Sequence, residues 1–405
     1  MTASFRYART PLLRRTFVCG AKGFTLIELL VSMTFLVILM LVVTQVIGIV
    51  QRTWVRTNSR VSQFREARMA FDVISRTLSQ ATLNTYWENE FDPLGTDIAG
   101  EKKFKAKNYV RQSELQFVCG PTTGLLPLAA ANSQNYPGHG VFFQAPLGVT
   151  KLVVAGTGDV NTENMVNLMC GRGYFVEWGS DEPFRPPFLS TLTSVPLRFR
   201  MRLMEYSPTA EMNRIYDSSL RPLVDNETGT NNGKKWFQEG ETGALTSIVK
   251  DNETTASRAF TRPVAENILA LIISPQQEVT GNAGNPYDIA PNYIWDSTLT
   301  INPGASASSA NPQGTQHLLP PLLKVTMIAL DQMGGETLSR EENEELREKV
   351  LGKVGGMFQK ASDFAKELEG TEDSQGELEE LLLSNKLNYR VFTTTIALKQ
   401  SRWSL

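Results

Sequence analysis

Few residues in this 405-residue chain are placed to do chemistry, and the first is an acid in apolar surroundings. Glu28 is the single ionisable side chain in the 27 residues from Phe24 to Val50, FTLIELLVSMTFLVILMLVVTQVIGIV. A carboxylate at the centre of a bilayer costs roughly 2.5–3.5 kcal/mol, and less near the interface, so such a group calls for a partner. A cut between Gly23 and Phe24 creates a positive amine four residues before Glu28. On a neighbouring subunit that amine can neutralise the acid. The plainer alternative is an interfacial glutamate solvated by lipid headgroups.

The remaining candidates do not converge. His139 in YPGHG and His317 in TQHLLP have no Cys, Asp or second His at metal-ligand spacing, and both read as loop residues. The chain contains no P-loop and no GxSxG elbow, and Gly156-Thr157-Gly158 and Gly171-Arg172-Gly173 read as turns. Asp181-Glu182 lacks the ligand order of a calcium loop. We therefore expect no enzyme activity, no cofactor and no metal. Of three cysteines, Cys19 falls before the apolar run, which leaves Cys119 and Cys170. They can form one disulfide in an oxidising compartment or remain two buried thiols, and the sequence leaves both open. Trp178, Phe184 and Phe188 lie beside the prolines of EPFRPPFLS, where they close the edge of a core or contact a partner.

The elements that position Glu28 are easier to read. Residues 1–23 carry Arg6, Arg9, Arg14, Arg15 and Lys22 and no acid, so removing this basic leader takes the net charge from -2 to -7. An acidic product without a basic patch argues against nucleic-acid binding. Residues 24–50 exceed the about 20 apolar residues that span a bilayer. The basic flank predicts a cytoplasmic N-terminus with the remainder outside. Arg52, Arg56 and Arg60, four residues apart, are spaced to snorkel to headgroups on the other flank. From 51 to 92 the helical period continues, with Val61, Phe64, Ala67, Phe71, Ile74, Leu78 and Ala81 on one face and Arg68, Asp72 and Arg76 on another.

After Pro93 the signals turn to short strands: 114–119, 140–144, 173–178, 197–205, 268–274, 322–331 and 389–400. Without regular intervening helices these predict an α+β fold, a long N-terminal helix laid on a mainly antiparallel β domain over 93–405. Within it, 225–257 and 302–314 read as unpatterned loops. Residues 336–380 hold 14 acidic and 6 basic residues. They read as a helical insertion, with Glu345, Lys349 and Lys353 on one face and Val350, Val354, Met357 and Phe358 on another.

The stretch Lys22-Gly23-Phe24-Thr25-Leu26-Ile27-Glu28-Leu29-Leu30, behind a basic leader, resembles the cleavage and methylation motif of type IV prepilins and pseudopilins. The resemblance implies a pilin-like fold, cleavage after Gly23 by a prepilin peptidase, methylation of the Phe24 amine, and assembly through Glu28. Residues 60–81, with VSQFREARMAFDVISRTLSQA, are similar to the early helix of J-type minor pseudopilins of type II secretion, as is PPLLKVTM at 320–327 followed by a strand ending in Arg402-Trp403. Tyr86-Trp87, GYFVEW at 173–178 and FRPP at 184–187 resemble the Verru_Chthon cassette protein C group. These resemblances imply a minor structural subunit of a secretion or pilus-like filament, single-pass in the bacterial inner membrane with a periplasmic domain. Its partners would be other pilin-like subunits and an inner-membrane assembly platform. The rival expectation is a surface-displayed adhesin or uptake module that uses the pilin-like end as an anchor.

Overall fold

The computed structural model describes residues 25–96, 102–126, 129, 132–150, 167–190, 194–216, 235–238, 243–249, 256–278, 285–305, 313–370 and 374–401. The fold is α+β, with one long N-terminal helix and antiparallel sheets. Helix α1 runs from Leu26 to Leu78 without a proline, and Gly48 is its one glycine. The chain divides into two units, residues 1–58 and 59–405, and α1 crosses the division.

In the first unit, every described side chain from Thr25 to Ile47 is exposed. By length and composition α1 can cross a membrane. Its hydroxyls fit that role, because Ser32, Thr34 and Thr44 each donate back to a helix carbonyl at 2.7–2.9 Å, so that none of these three hydroxyl donors is unmet in an apolar medium.

In the second unit the apolar stripe of α1 is buried: Ala67, Ala70, Phe71, Ile74 and Leu78. Val61, expected on this face, is exposed. The helix ends at Leu78, not near residue 92 as the period suggested. Ser79 and Gln80 form a turn, Asn84 takes a left-handed φ of 48°, and the β-forming Tyr86-Trp87 opens a strand.

That strand is β1 (Tyr86–Thr96), paired with β2 (Lys102–Gln112) as a separate two-stranded ribbon. The larger sheet contains β3 (Val118–Pro121), β4 (His139–Pro146), β5 (Met169–Ser180), β6 (Phe199–Tyr206), β9 (Thr261–Glu266) and β11 (Trp295–Asp296), in the order β11-β3-β4-β5-β6-β9. A second ribbon pairs β7 (Ser247–Val249) with β8 (Ala256–Arg258). The remaining sheet joins β10 (Ile268–Gln276), β12 (Leu322–Leu330) and β13 (Tyr389–Ala397), in that order. Ribbon and sheet neighbours all run antiparallel.

The core centres on Phe142, stacked 4.0 Å from Phe237 and 6.2 Å from Phe175. Gly173 in β5 leaves room for it, since a Cβ there would overlap the Phe142 ring. Trp236 and Phe237 are fully buried on a helical turn, Lys235–Gln238. The stretch 225–257, expected to be an unpatterned loop, therefore supplies two core aromatics and the β7–β8 ribbon. Its residues 225–234, 239–242 and 250–255 lie outside the described residues. Of 302–314, Asn302 is buried, and its Oδ1 accepts from Asp296 N at 2.7 Å.

The insertion connects β12 to β13, which are adjacent strands. It contains α2 (Gln332–Ser339), α3 (Glu344–Gly356) and α4 (Glu377–Ser384). Val350, Val354, Met357 and Phe358 are buried, as the spacing predicts, and Glu345, Lys349 and Lys353 face solvent. Gly335 lets α2 approach the β9–β10 link, because a Cβ there would collide with Asn267 Oδ1.

Candidate functional site

Gly23 and Phe24 lie outside the described residues, and the site begins at Thr25. Thr25 is the residue before α1, and Glu28 stands in the first turn. Thr25 donates to Glu28 Oε2 twice, from its backbone N at 3.0 Å and from Oγ1 at 2.9 Å. Glu28 N donates back to Thr25 Oγ1 at 3.3 Å. This is the reciprocal Thr-x-x-Glu capping box, which satisfies two of the donors that every helix start leaves open. One carboxylate oxygen carries both accepted bonds, so Oε1 is free of them. The Thr-x-x-Glu spacing stands in the sequence, but the charge of Glu28 considered by itself does not point to Thr25 as a site residue.

The other end of the helix is fastened by polar contacts as well as packing. Arg60 Nε lies 3.0 Å from Asp331 Oδ2. It is therefore engaged by the domain, whereas its spacing from Arg52 and Arg56 suggested headgroup contact. Asp331 is fully buried, and its carboxylate also caps α2 through Gly334 N at 2.7 Å and accepts from Asn388 Nδ2 at 3.1 Å. One acid thus links α1, α2 and the start of β13. Gln63 Nε2 donates to Glu266 O at 2.9 Å, and Phe71 meets Phe392 at 6.0 Å between ring centroids.

The other sequence candidates are dispersed. Cys119 and Cys170 are both free and buried, so the disulfide is not formed. The Cys119 thiol is pushed well above its ordinary range by burial, and its Sγ lies 3.8 Å from Tyr293 O. His139 and His317, expected in loops, are both buried. His139 belongs to β4, where Nδ1 accepts from Ile273 N at 3.1 Å and Nε2 lies 2.9 Å from Phe358 O. Burial lowers both rings to about 4. Asp181 is tied to Arg185 Nε at 2.9 Å and Arg198 N at 2.9 Å. Among the described residues no group of three His, Cys, Asp or Glu is placed to hold a metal ion.

Of the aromatics in and beside EPFRPPFLS, Trp178 and Phe184 pack against the core while Phe188 is exposed. A cleft of about 650 Å³ beside them is lined by Arg185, Arg258 and Arg262. Each of these arginines is held by a carboxylate, from Asp181, Glu177 and Glu205 respectively. Comparison with family models, curated proteins and solved structures finds no match to this chain.

Proposed function

We propose that this chain is a minor pseudopilin-like structural subunit of a type II secretion or type IV pilus-like filament. Its work is association. One observation carries the reading: a single helix whose first half exposes apolar side chains all round and whose second half is built into an antiparallel domain, with a lone carboxylate in its first turn. A helix apolar on every side belongs in lipid or in a bundle of its own kind. Both environments are available to a subunit that waits in the inner membrane and is then packed into a filament core.

In this reading a prepilin peptidase cuts after Gly23, and the freed, methylated Phe24 amine of one subunit meets Glu28 of its neighbour. The capping box refines the mechanism. It lets Glu28 persist in an isolated subunit by giving Oε2 two local donors, while Oε1 remains to accept the incoming amine. The N-terminus stays on the cytoplasmic side and the domain projects into the periplasm, where an assembly platform and other pilin-like subunits are the partners.

Glu28→Gln tests this directly, because glutamine keeps a capping box and removes the charge. We expect the variant to be cleaved normally and to assemble into filaments at least about tenfold less, the loss that about 1.4 kcal/mol of pairing energy corresponds to. Wild-type assembly by Glu28→Gln would reduce Glu28 to a capping residue.

A further inference from the structure

Strand β13 is an edge that the domain leaves open. It is the last strand of its sheet and pairs with β12 alone, in a register that runs from Leu322↔Ala397 to Leu330↔Tyr389 without a bulge. Just beyond its two ends, Asp331 N donates to Asn388 O at 3.0 Å and Leu398 N donates to Pro321 O at 3.2 Å, both on that register. Bonded pairs alternate along an antiparallel ladder, so the even-numbered residues 388–398 turn their N–H and C=O groups to β12. Tyr389, Val391, Thr393, Thr395 and Ala397 turn theirs the other way, and among the described residues none of those groups has a hydrogen-bond partner.

Two other edges of the domain are covered. β9 ends the larger sheet, but Pro263 has no N–H to offer there, and α1 occupies its far end, where Glu266 N donates to Glu66 Oε1 at 3.4 Å and Glu266 O accepts from Gln63 Nε2 at 2.9 Å. β10, on the opposite side of the β13 sheet, gives Ile273 N to the buried His139 ring. β13 has none of the devices that blunt an edge: no proline, no glycine, no register shift and no charged side chain after Arg390. Thr393, Thr395 and Ala397 are exposed. Such an edge is a template for one more strand.

The charges around it select the kind of strand. Residues 381–405 contain Lys386, Arg390, Lys399 and Arg402 and no acid. Lys386, Arg390 and Lys399 are exposed, and no carboxylate pairs with them among the described residues. β10 and β12 carry no acid either, and the one charge on them, Lys324, lies over the Phe364 ring at 4.1 Å. Of the acids packed near this sheet, Asp331 is held by Arg60, and Glu379 of α4 lies by Tyr389 at the start of the strand. Cations therefore flank the uncharged run 391–398 at both ends. A second copy of β13 would bring like charges together in either direction, whereas a strand with an acid at each end meets the cations in either direction. Thr326 Oγ1 and Thr393 Oγ1 lie 3.1 Å apart, a hydroxyl pair that a Thr or Ser on the incoming strand extends.

We propose that the outer edge of β13 is a docking site for an extended strand of a different polypeptide, acidic at both ends and made of uncharged Thr, Ser and Val between them. The nine steps from Arg390 to Lys399 set its length at roughly 30 Å, given about 3.3 Å per residue. Main-chain hydrogen bonds supply the affinity, and the end charges supply selection. This docking goes beyond the filament reading and involves residues after 58 only.

The test uses the full-length protein in detergent and a fluorescein-labelled probe, the peptide Asp-Thr-Val-Thr-Ser-Thr-Val-Thr-Glu. Its anisotropy should rise saturably with protein, with a Kd below about 1 mM. The same peptide N-methylated at every internal amide should not bind, because its strand donors are gone. Thr395→Pro removes an N–H that faces away from β12, so the domain should melt as the wild type does while the peptide binds at least about tenfold more weakly. Arg390→Glu with Lys399→Glu should lower the affinity about tenfold and shift the preference to a peptide with lysine at both ends. The absence of saturable binding, equal binding of the N-methylated peptide, or indifference to the end charges would overturn the proposal. Should Thr395→Pro fail to fold, the N-methylated peptide decides the question on the wild-type protein. Glu28→Gln protein should bind the probe as the wild type does, so that a failed Glu28 mechanism and a failed edge contact give different results.

Discussion

Glu28 shows what a single residue can and cannot disclose. Its type and depth in an apolar run announce a need for a partner: Thr25 meets it within the chain, and in the proposed mechanism a neighbour's amine meets it in the assembled filament. His139 is the opposite case, a residue whose surroundings no local pattern reveals. YPGHG reads as a loop, yet residues far away in the chain, Ile273 and Phe358, close around the ring. The consequence is a pH dependence with a definite sign. An unfolded histidine gains its proton near 6.5, but the buried ring gains it only near 4. Between those values the unfolded chain binds more protons, so stability falls as the pH is lowered from about 6.5 and levels off below about 4. The loss for His139 is about 3 kcal/mol, because each tenfold drop in proton affinity on folding is worth about 1.4 kcal/mol. Denaturant titrations at pH 7 and pH 4 should show it, with a smaller difference in His139→Gln. Asp331 supports a second prediction at this scale. Asp331→Ala removes a helix cap and the partner of Arg60, and should destabilise the domain by about 2–3 kcal/mol in the same titrations.

Helices and strands are legible in the sequence where periodicity is strong. The stripe from Ala67 to Leu78 and the strands around 140–144, 173–178, 268–274 and 322–331 appear at those places in the structure. The insertion is legible too, since Val350 and Val354 recur at helical spacing on a polar background. Legibility fails where tertiary contacts override local character. The end of α1 is obscured because Ala81 keeps the apolar spacing and no Gly or Pro interrupts before Pro93; the signal is Asn84, which accepts a left-handed φ, followed by Tyr86-Trp87. Trp236-Phe237 is hidden by its polar neighbours, although two adjacent aromatics in a stretch otherwise rich in Asn, Gly and Lys are a warning. Their burial changes the obvious experiment on the adhesin alternative. Deleting 225–257 would remove Trp236 and Phe237 from the core, and Trp236→Ala alone should cost about 3–5 kcal/mol in a thermal or denaturant melt. A loop deletion that spares 235–238 is the appropriate probe of ligand binding.

At the scale of the whole molecule the two units have opposite relations to solvent. The second unit buries core aromatics such as Phe142, Trp236 and Phe237 and pairs inward charges such as Glu177 with Arg258 and Glu205 with Arg262. In the first, every described side chain from Leu26 through Ile47 is exposed. That division fits the proposed subunit, completed by lipid or by its neighbours, although the period of the sequence does not say which surfaces beyond α1 take part. The account depends most on the leader's removal. Intact-mass and fragment analysis of the protein taken from its native membrane should find a chain that begins with N-methylated Phe24. A population that uniformly retains Met1 and the leader arginines would contradict the account at its root.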